Sequence, residues 1–213
     1  MDEIKIFDNL YMFNTINEQI DFTFNQYLLL GEEPLLVHTG SSEQTVVLVS
    51  KIKKLLGDRA LAYVFVSHFE GDECGGLNIL LEQFPKVKTI CSQVTARQLN
   101  SFGYTDELLI KKPGEILKTK DYSLTFIAYP SEMHLLEGLL ALENRLGLLF
   151  SSDLFIRMGM LRDAIVVANW DDEIKAIAPH QIPSLNAYEA MQKSLYNLSV
   201  NYIAPGHGPV LKV

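Results

Sequence analysis

Cysteine is scarce in this sequence: two among 213 residues, Cys74 and Cys91. Two cysteines cannot build the disulfide framework of a small secreted fold, and such usage fits a reducing cytoplasm. No apolar run approaches the ~20 residues that a membrane helix needs. The opening Met1-Asp2-Glu3-Ile4-Lys5 has no apolar core, so no secretory signal is read there. Basic residues are outnumbered, 18 Lys and Arg against 26 Asp and Glu, for a formal net charge of −8. The basic excess of a nucleic-acid binder is therefore missing. Gly/Ser linkers, low-complexity tracts and short repeats are absent too, so one domain over residues 1–213 is expected. What is present is a 48% hydrophobic fraction, enough for a buried core and too much for a disordered chain.

Ser41 to Gly57 reads as a helix. Ser41 with Gln44 makes a capping box; Leu48, Val49, Ile52, Leu55 and Leu56 form one apolar stripe, and Gly57 ends it. Residues 22–30 and 34–38 have strand composition. The apolar run 60–67 suits a strand covered on both faces, and it empties into the polar stretch from His68 to Gly76. A helix over 77–83, a strand over 87–91 and a helix over 93–102 follow. Short β-type runs recur at 107–110, 115–118, 122–128, 138–142 and 146–150, then a helix at 186–198 and a strand at 200–204. Trp170 to Glu173 reads as a helix start. Layered sheets covered by helices satisfy this mixture, but propensity alone does not separate that arrangement from other α/β folds.

The most informative segment is His68-Phe69-Glu70-Gly71-Asp72-Glu73. In an extended loop alternate side chains share a side, so His68, Glu70 and Asp72 converge. Imidazole with two carboxylates is a metal-binding set rather than a nucleophile–base pair. It also follows a buried strand, where α/β proteins carry sites. A solvated acidic turn explains the segment equally well when it is taken alone. Three further elements follow in order. His134 lies in Pro130-Ser131-Glu132-Met133-His134, and Asp153 follows an apolar run through Ser151-Ser152. His207 sits between Gly206 and Gly208, where the backbone can turn sharply. Each has a plain alternative: a structural histidine, a turn acid and an ordinary turn.

Together these elements resemble the metallo-β-lactamase fold in its diiron branch. The zinc hydrolases of that fold usually carry H-x-H-x-D-H where this chain has H-x-E-x-D, the form seen in flavodiiron proteins. The opening Phe24-Asn25-Gln26-Tyr27-Leu28-Leu29-Leu30, followed by Pro34 to Gly40, resembles the fold's first sheet. The likeness covers about residues 20 to 210. It is closest to short oxygen-binding diiron proteins, whose first motif often continues as Asp72-Glu73-Cys74-Gly75 does here. Their next histidine sits in a loop that 130–134 resembles with one residue deleted. Aligned instead on the His-Trp-Pro sequence of flavodiiron enzymes, Ala128 would replace the ligand, whereas His134 restores a full set.

The resemblance implies an αββα sandwich of two central mixed sheets flanked by helices. It implies one iron on His68, Glu70 and His134, a second on Asp72 and His207, and Asp153 bridging them, with no catalytic residue beyond these ligands. Zinc or manganese is the alternative metal pair. Glu73 stands where many members carry a metal-binding histidine, and reads as a further ligand, as a partner behind the ligands, or as a solvent-facing residue. If it is ionised, Glu70, Asp72, Glu73 and Asp153 balance two ferrous ions. Phe69, Met133, Phe155 and Met158 are candidate pocket walls, with core packing as the plainer role. His38 reads as a partner behind the ligands or, more plainly, as a structural histidine; His180 lies in a loop placed to cover the site, though its spacing does not require that; Cys74 reads as a buried thiol. The last motif lies close to Val213 and no Gly-rich phosphate loop is evident, so no flavin is expected in this chain.

The implied function is a non-haem diiron protein that binds dioxygen and is able to reduce it. It would serve as a sensor or carrier, or as an oxidoreductase fed by a separate electron donor. Nitric oxide and peroxide are further ligands, and a redox or signalling partner and a homodimer are compatible with it. A dinuclear zinc hydrolase is the alternative, and a non-catalytic interaction domain the third reading. Neither a nucleic acid nor a membrane is an expected partner.

Overall fold

The computed structural model describes residues 1–104, 107–131, 136–182 and 184–213. Two seven-stranded mixed sheets lie face to face, with helices on both outer surfaces. This is the αββα sandwich that the family resemblance implies.

The first sheet runs in chain order: β1 (Asp2–Phe7), β2 (Leu10–Asn17), β3 (Phe22–Leu29), β4 (Leu35–Val37), β5 (Tyr63–Phe65), β6 (Lys88–Cys91) and β7 (Leu108–Ile110). Pairing is antiparallel from β1 to β4 and parallel from β4 to β7. The second sheet holds β8 (Ile116–Lys118), β9 (Ser123–Ser131), β10 (Leu136–Glu143), β11 (Leu148–Ser152), β12 (Ile165–Val167), β13 (Tyr202–Pro205) and β14 (Val210–Lys212). Its spatial order is β12-β14-β13-β11-β10-β9-β8, and β11 and β13 run parallel.

Strand alternation divides the core. In β3 and β4, Tyr27, Leu29, Leu35 and Val37 face the second sheet and meet Phe126, Leu139 and Phe150. Leu28 and Leu36 face outward, under α1 (Ser42–Leu56), α2 (Gly71–Cys74), α3 (Leu77–Gln83) and α4 (Gln93–Ser101). On the far side, α5 (Trp170–Ala176) and α6 (Leu185–Tyr196) bury Ile174, Met191 and Leu195 against Leu140, Leu149 and Ile203. No helix among the described residues is long and apolar enough to cross a membrane.

Helix α1 starts as its sequence dictates. Ser41 Oγ accepts from the Gln44 amide at 3.3 Å, and the Gln44 side chain accepts from the Ser41 amide at 2.9 Å. Ser41→Ala is expected to cost about 1 kcal/mol, on the order of 2–4 °C in Tm for a chain of this size, measured by thermal unfolding.

Two differences from the sequence reading have physical causes. The apolar run 60–67 yields a strand only three residues long, Tyr63–Phe65. The run reflects burial on both sides rather than ladder length: Ala62 and Tyr63 both donate to the Pro34 carbonyl, which ends the ladder early. The hairpin of β1 and β2 was not anticipated, because β1 is an edge strand in which only Ile6 is buried.

Candidate metal centre

Four strand ends meet at one place. His38 follows β4, His68 follows β5, Asp153 follows β11 and His207 follows β13. Because β4 pairs parallel with β5, and β11 with β13, their carboxyl ends lie side by side within each sheet. Sheet stacking then sets one pair against the other, the usual geography of α/β sites.

His68 Nε2 lies 3.2 Å from Glu70 Oε2, 3.4 Å from Asp153 Oδ2 and 3.6 Å from Glu73 Oε2. His207 Nε2 lies 3.3 Å from both Asp72 Oδ2 and Asp153 Oδ1. Asp153 therefore touches both histidines. Two donor sets emerge, His68–Glu70–Glu73 and Asp72–Glu73–His207, with the potential ligand atoms of each set within 4.8 Å of one another. Glu73 belongs to both. His134 and Met133 lie outside the described residues.

The convergence does not arise by extended alternation. Glu70 is extended, but Gly71–Cys74 wind into one helical turn closed by Cys74 N–H to the Glu70 carbonyl at 3.0 Å. That turn swings Glu73 inward to 1% exposure, which overturns the solvent-facing reading. The turn is anchored from behind. Thr39 N–H donates to the Glu73 carbonyl at 2.8 Å, and any Cβ on Gly76 would collide with Thr45 Oγ1.

Each imidazole is held from its far side. His207 Nδ1 donates to the Thr23 carbonyl at 2.7 Å, which leaves Nε2 as the free donor atom facing the carboxylates. Its ring stacks on Phe22 at 4.2 Å and meets the edge of Phe24 at 5.2 Å. Asn25 clamps the turn that carries it, donating to the carbonyls of Pro205 and Gly208 at 3.1 and 2.7 Å. His68 Nδ1 lies 3.1 Å from Ser67 Oγ and 3.2 Å from Ser152 Oγ. The two hydroxyls are 2.8 Å apart, and Ser67 Oγ is 2.9 Å from His38 Nε2. His38, Ser152 and Phe155 all hold positive φ, of 64°, 51° and 67°. Such backbone is costly for these residues, and it concentrates here at the site.

The electrostatics follow from crowding. Burial, then the charges of Asp153 and Asp72, push the Glu73 carboxyl well above the usual carboxylate range. Burial lowers the His207 imidazole, but hydrogen bonding and charge from Asp153, with the Thr23 carbonyl and Asp72, outweigh it and raise the net value. Burial, reinforced by His68, lowers His38 to about 3, so it is neutral. Burial pushes the Cys74 thiol up to about 12, and its sulfur points to the Glu70 carbonyl.

A cation pair fits this donor set. Glu73 Oε2 is enclosed and accepts no hydrogen bond among the described residues. Buried carboxylates facing one another need protons or cations. The donors are nitrogen and oxygen only, which suits iron, manganese or zinc over soft metals.

Above the cluster is a cavity of about 250 Å³, walled by Ile20, Phe22, Phe24, Tyr129, Ile156 and Gln181 over Glu70, Asp72, Asp153 and His207. The aromatic wall comes from β3 and β9, while Phe69 and Phe155 take the plainer packing role. Phe69 packs on Phe102, Phe155 packs on Trp170, and Met158 is 70% exposed. His180 is exposed, while its neighbour Gln181 reaches the cavity. The sequence reading missed Thr23, Asn25, Ser67 and Ser152. The polar residues Thr23 and Asn25, alternating with aromatics in β3, were the available signal.

The family model described as ODP family beta lactamase matches residues 22–208. A nitric oxide reductase from Moorella thermoacetica is 28% identical over 203 residues, covering 87% of this chain and 49% of that protein. Diflavin flavoprotein A 1 from Synechocystis is 24% identical over 201 residues, covering 89% of this chain and 34% of that one. A flavo di-iron protein variant from Thermotoga maritima superposes with a TM-score of 0.81 at 20% identity, covering 99% of this chain and 57% of the other. The chain thus spans about a third to about a half of these curated relatives' lengths.

Proposed function

This chain belongs to the ODP family of β-lactamase-fold proteins, and on that premise we propose that it is a non-haem diiron protein that binds dioxygen. The observation carrying this is the pair of nitrogen and carboxylate donor sets that share Glu73 beneath an apolar cavity. In this reading the 213 residues act as one domain. His68, Glu70 and His134 would hold one iron, Asp72 and His207 the other, with Asp153 and Glu73 between them. A ferrous pair would supply electrons and open coordination positions to a diatomic ligand.

The chain's own residues do the rest. Thr23 and the serine hydroxyls orient the two imidazoles. Phe22, Phe24, Tyr129 and Ile156 offer no cationic group to an anionic substrate and suit a small neutral ligand, dioxygen first and nitric oxide or peroxide by extension. Four carboxylates around two divalent ions balance their charge, which favours iron in its reduced form. Turnover would draw electrons from a separate redox partner, and without one the protein would sense or carry oxygen.

The test is metal analysis of protein produced with excess iron, together with its visible spectrum before and after air reaches the reduced form. About two irons per chain and a new absorption on oxygenation are expected. Two zincs, no oxygen-dependent colour and hydrolysis that tracks zinc loading would overturn the reading in favour of a dinuclear hydrolase.

A further inference from the structure

Ser67 and Ser152 approach His68 Nδ1 from two different sheets, yet hydroxyls alone give the contact no direction. A hydroxyl donates one hydrogen and accepts others, so a chain of hydroxyls takes its polarity from its ends. Here one end is His68 Nδ1 and the other is His38 Nε2, 2.9 Å from Ser67 Oγ. If His38 Nε2 carries no hydrogen, Ser67 must donate to it. Ser67 then accepts from Ser152 or His68, and Nδ1 of His68 is the remaining donor. If His38 Nε2 carries a hydrogen, Ser67 accepts it and turns its own hydrogen toward Ser152 or His68 Nδ1; Nδ1 is then no longer obliged to donate, and a hydrogen moved to His68 Nε2 would face Glu70 and withhold the lone pair from a metal.

His38 is 3% exposed and keeps a left-handed backbone at φ 64°, an uncommon conformation for a histidine at a strand end. Its own amide donates to the Phe65 carbonyl at 2.9 Å, which ties that bend to the end of β5 next to Ser67. The imidazole is thus delivered to the hydroxyl by fixed backbone on both sides.

We infer that His38 is a positioning residue: its bare Nε2 ends a hydroxyl relay through Ser67 and Ser152 that holds the hydrogen of His68 on Nδ1 and frees His68 Nε2 for the metal. The relay joins β4, β5 and β11, so one imidazole outside the donor sets orients a donor shared by both sheets. The inference rests on His68 being a metal ligand, but its hydrogen-bond direction is measurable without loaded iron.

The experiment is imidazole nitrogen NMR on the 213-residue chain labelled at histidine, metal-free and loaded with zinc, for wild type, His38→Phe, Ser67→Ala and His38→Gln. Expected are a bare Nε2 on His38 and an exchange-protected Nδ1–H on His68 in the wild type. That protection is lost in His38→Phe and Ser67→Ala and regained in His38→Gln, whose side-chain oxygen can accept. Zinc affinity, read by chelator competition, should fall 10–100-fold in the two damaged variants, the usual effect of removing a ligand's hydrogen-bond partner. Combining His38→Phe with Ser67→Ala should lose no more than either change alone, because both break the same relay. A hydrogen on His38 Nε2, or an Nδ1–H on His68 unchanged in both variants, overturns the relay. If wild-type protein shows the relay but binds no metal, the proposed function fails and the hydrogen-bond assignment stands.

Discussion

Glu73→Gln is expected to raise the melting temperature of the metal-free protein at neutral pH while removing at least one of its two metals. The carboxyl is 1% exposed and belongs to both donor sets, and its Oε2 accepts no hydrogen bond among the described residues. Burial and the charges of Asp153 and Asp72 lift it above its ordinary value of 4.5. The folded chain therefore binds a proton that the unfolded chain releases. For such a group stability is fully present below the unfolded value and is lost as pH rises toward the folded one. Each pKa unit of elevation costs about 1.4 kcal/mol at pH above both values, on the order of 3–6 °C here. Glutamine keeps the shape and carries no charge, so that decline disappears. Melting curves of chelator-treated protein from pH 4 to 9, with metal content measured in parallel, check both halves. A variant less stable at every pH and still holding two metals would mean that Glu73 is a buried structural acid only.

The second large effect is expected at Gly138. A Cβ there would lie 2.6 Å from the Ser67 carbonyl oxygen and 3.1 Å from His68 Cβ, where β10 of the second sheet meets the exit of β5. The Leu139 amide donates to that same carbonyl at 2.9 Å. Backbone on both sides leaves nothing flexible to yield. Gly138→Ala should cost about 1–3 kcal/mol by overpacking and displace His68, lowering metal affinity at least ~10-fold. Gly57→Ala is the control: its φ of 59° strains any side chain, but nothing lies within 4 Å of the added atom. It should lose stability by about 1 kcal/mol and bind metal normally. Equal metal binding in the two variants would disprove the crowding argument.

What could be read in advance divides along physical lines. Helix α1 was legible because its cap, its stripe and its glycine stop are all local. His68, Glu70, Asp72, Asp153 and His207 could be picked out as candidate ligands through the family resemblance, and the structure brings their side chains together. The burial of Glu73 was not legible, since it depends on four residues winding into a turn instead of running extended. The part that β3 plays in the cavity wall was not legible for a related reason: which face of β3 looks at the site is decided by how the two sheets stack, a long-range fact. Ser67, Ser152 and Asn25 look ordinary in sequence, and only the geometry assigns each its partner.

The grip of Asn25 on the turn around His207 has a kinetic side. Its hydrogen bonds to Pro205 and Gly208 span 180 and 183 residues of chain. The His207 Nδ1 bond to Thr23 spans 184. Contacts of such separation form only after a large loss of chain entropy, and they slow folding. The pocket for the second ion therefore cannot exist until the segments around Thr23 and His207 have met. A nascent or partly folded chain displays His68 and its acids but lacks the second half of the cage. Ion uptake thereby becomes a late event, and incompletely folded molecules are poor traps for whatever divalent ion is most abundant.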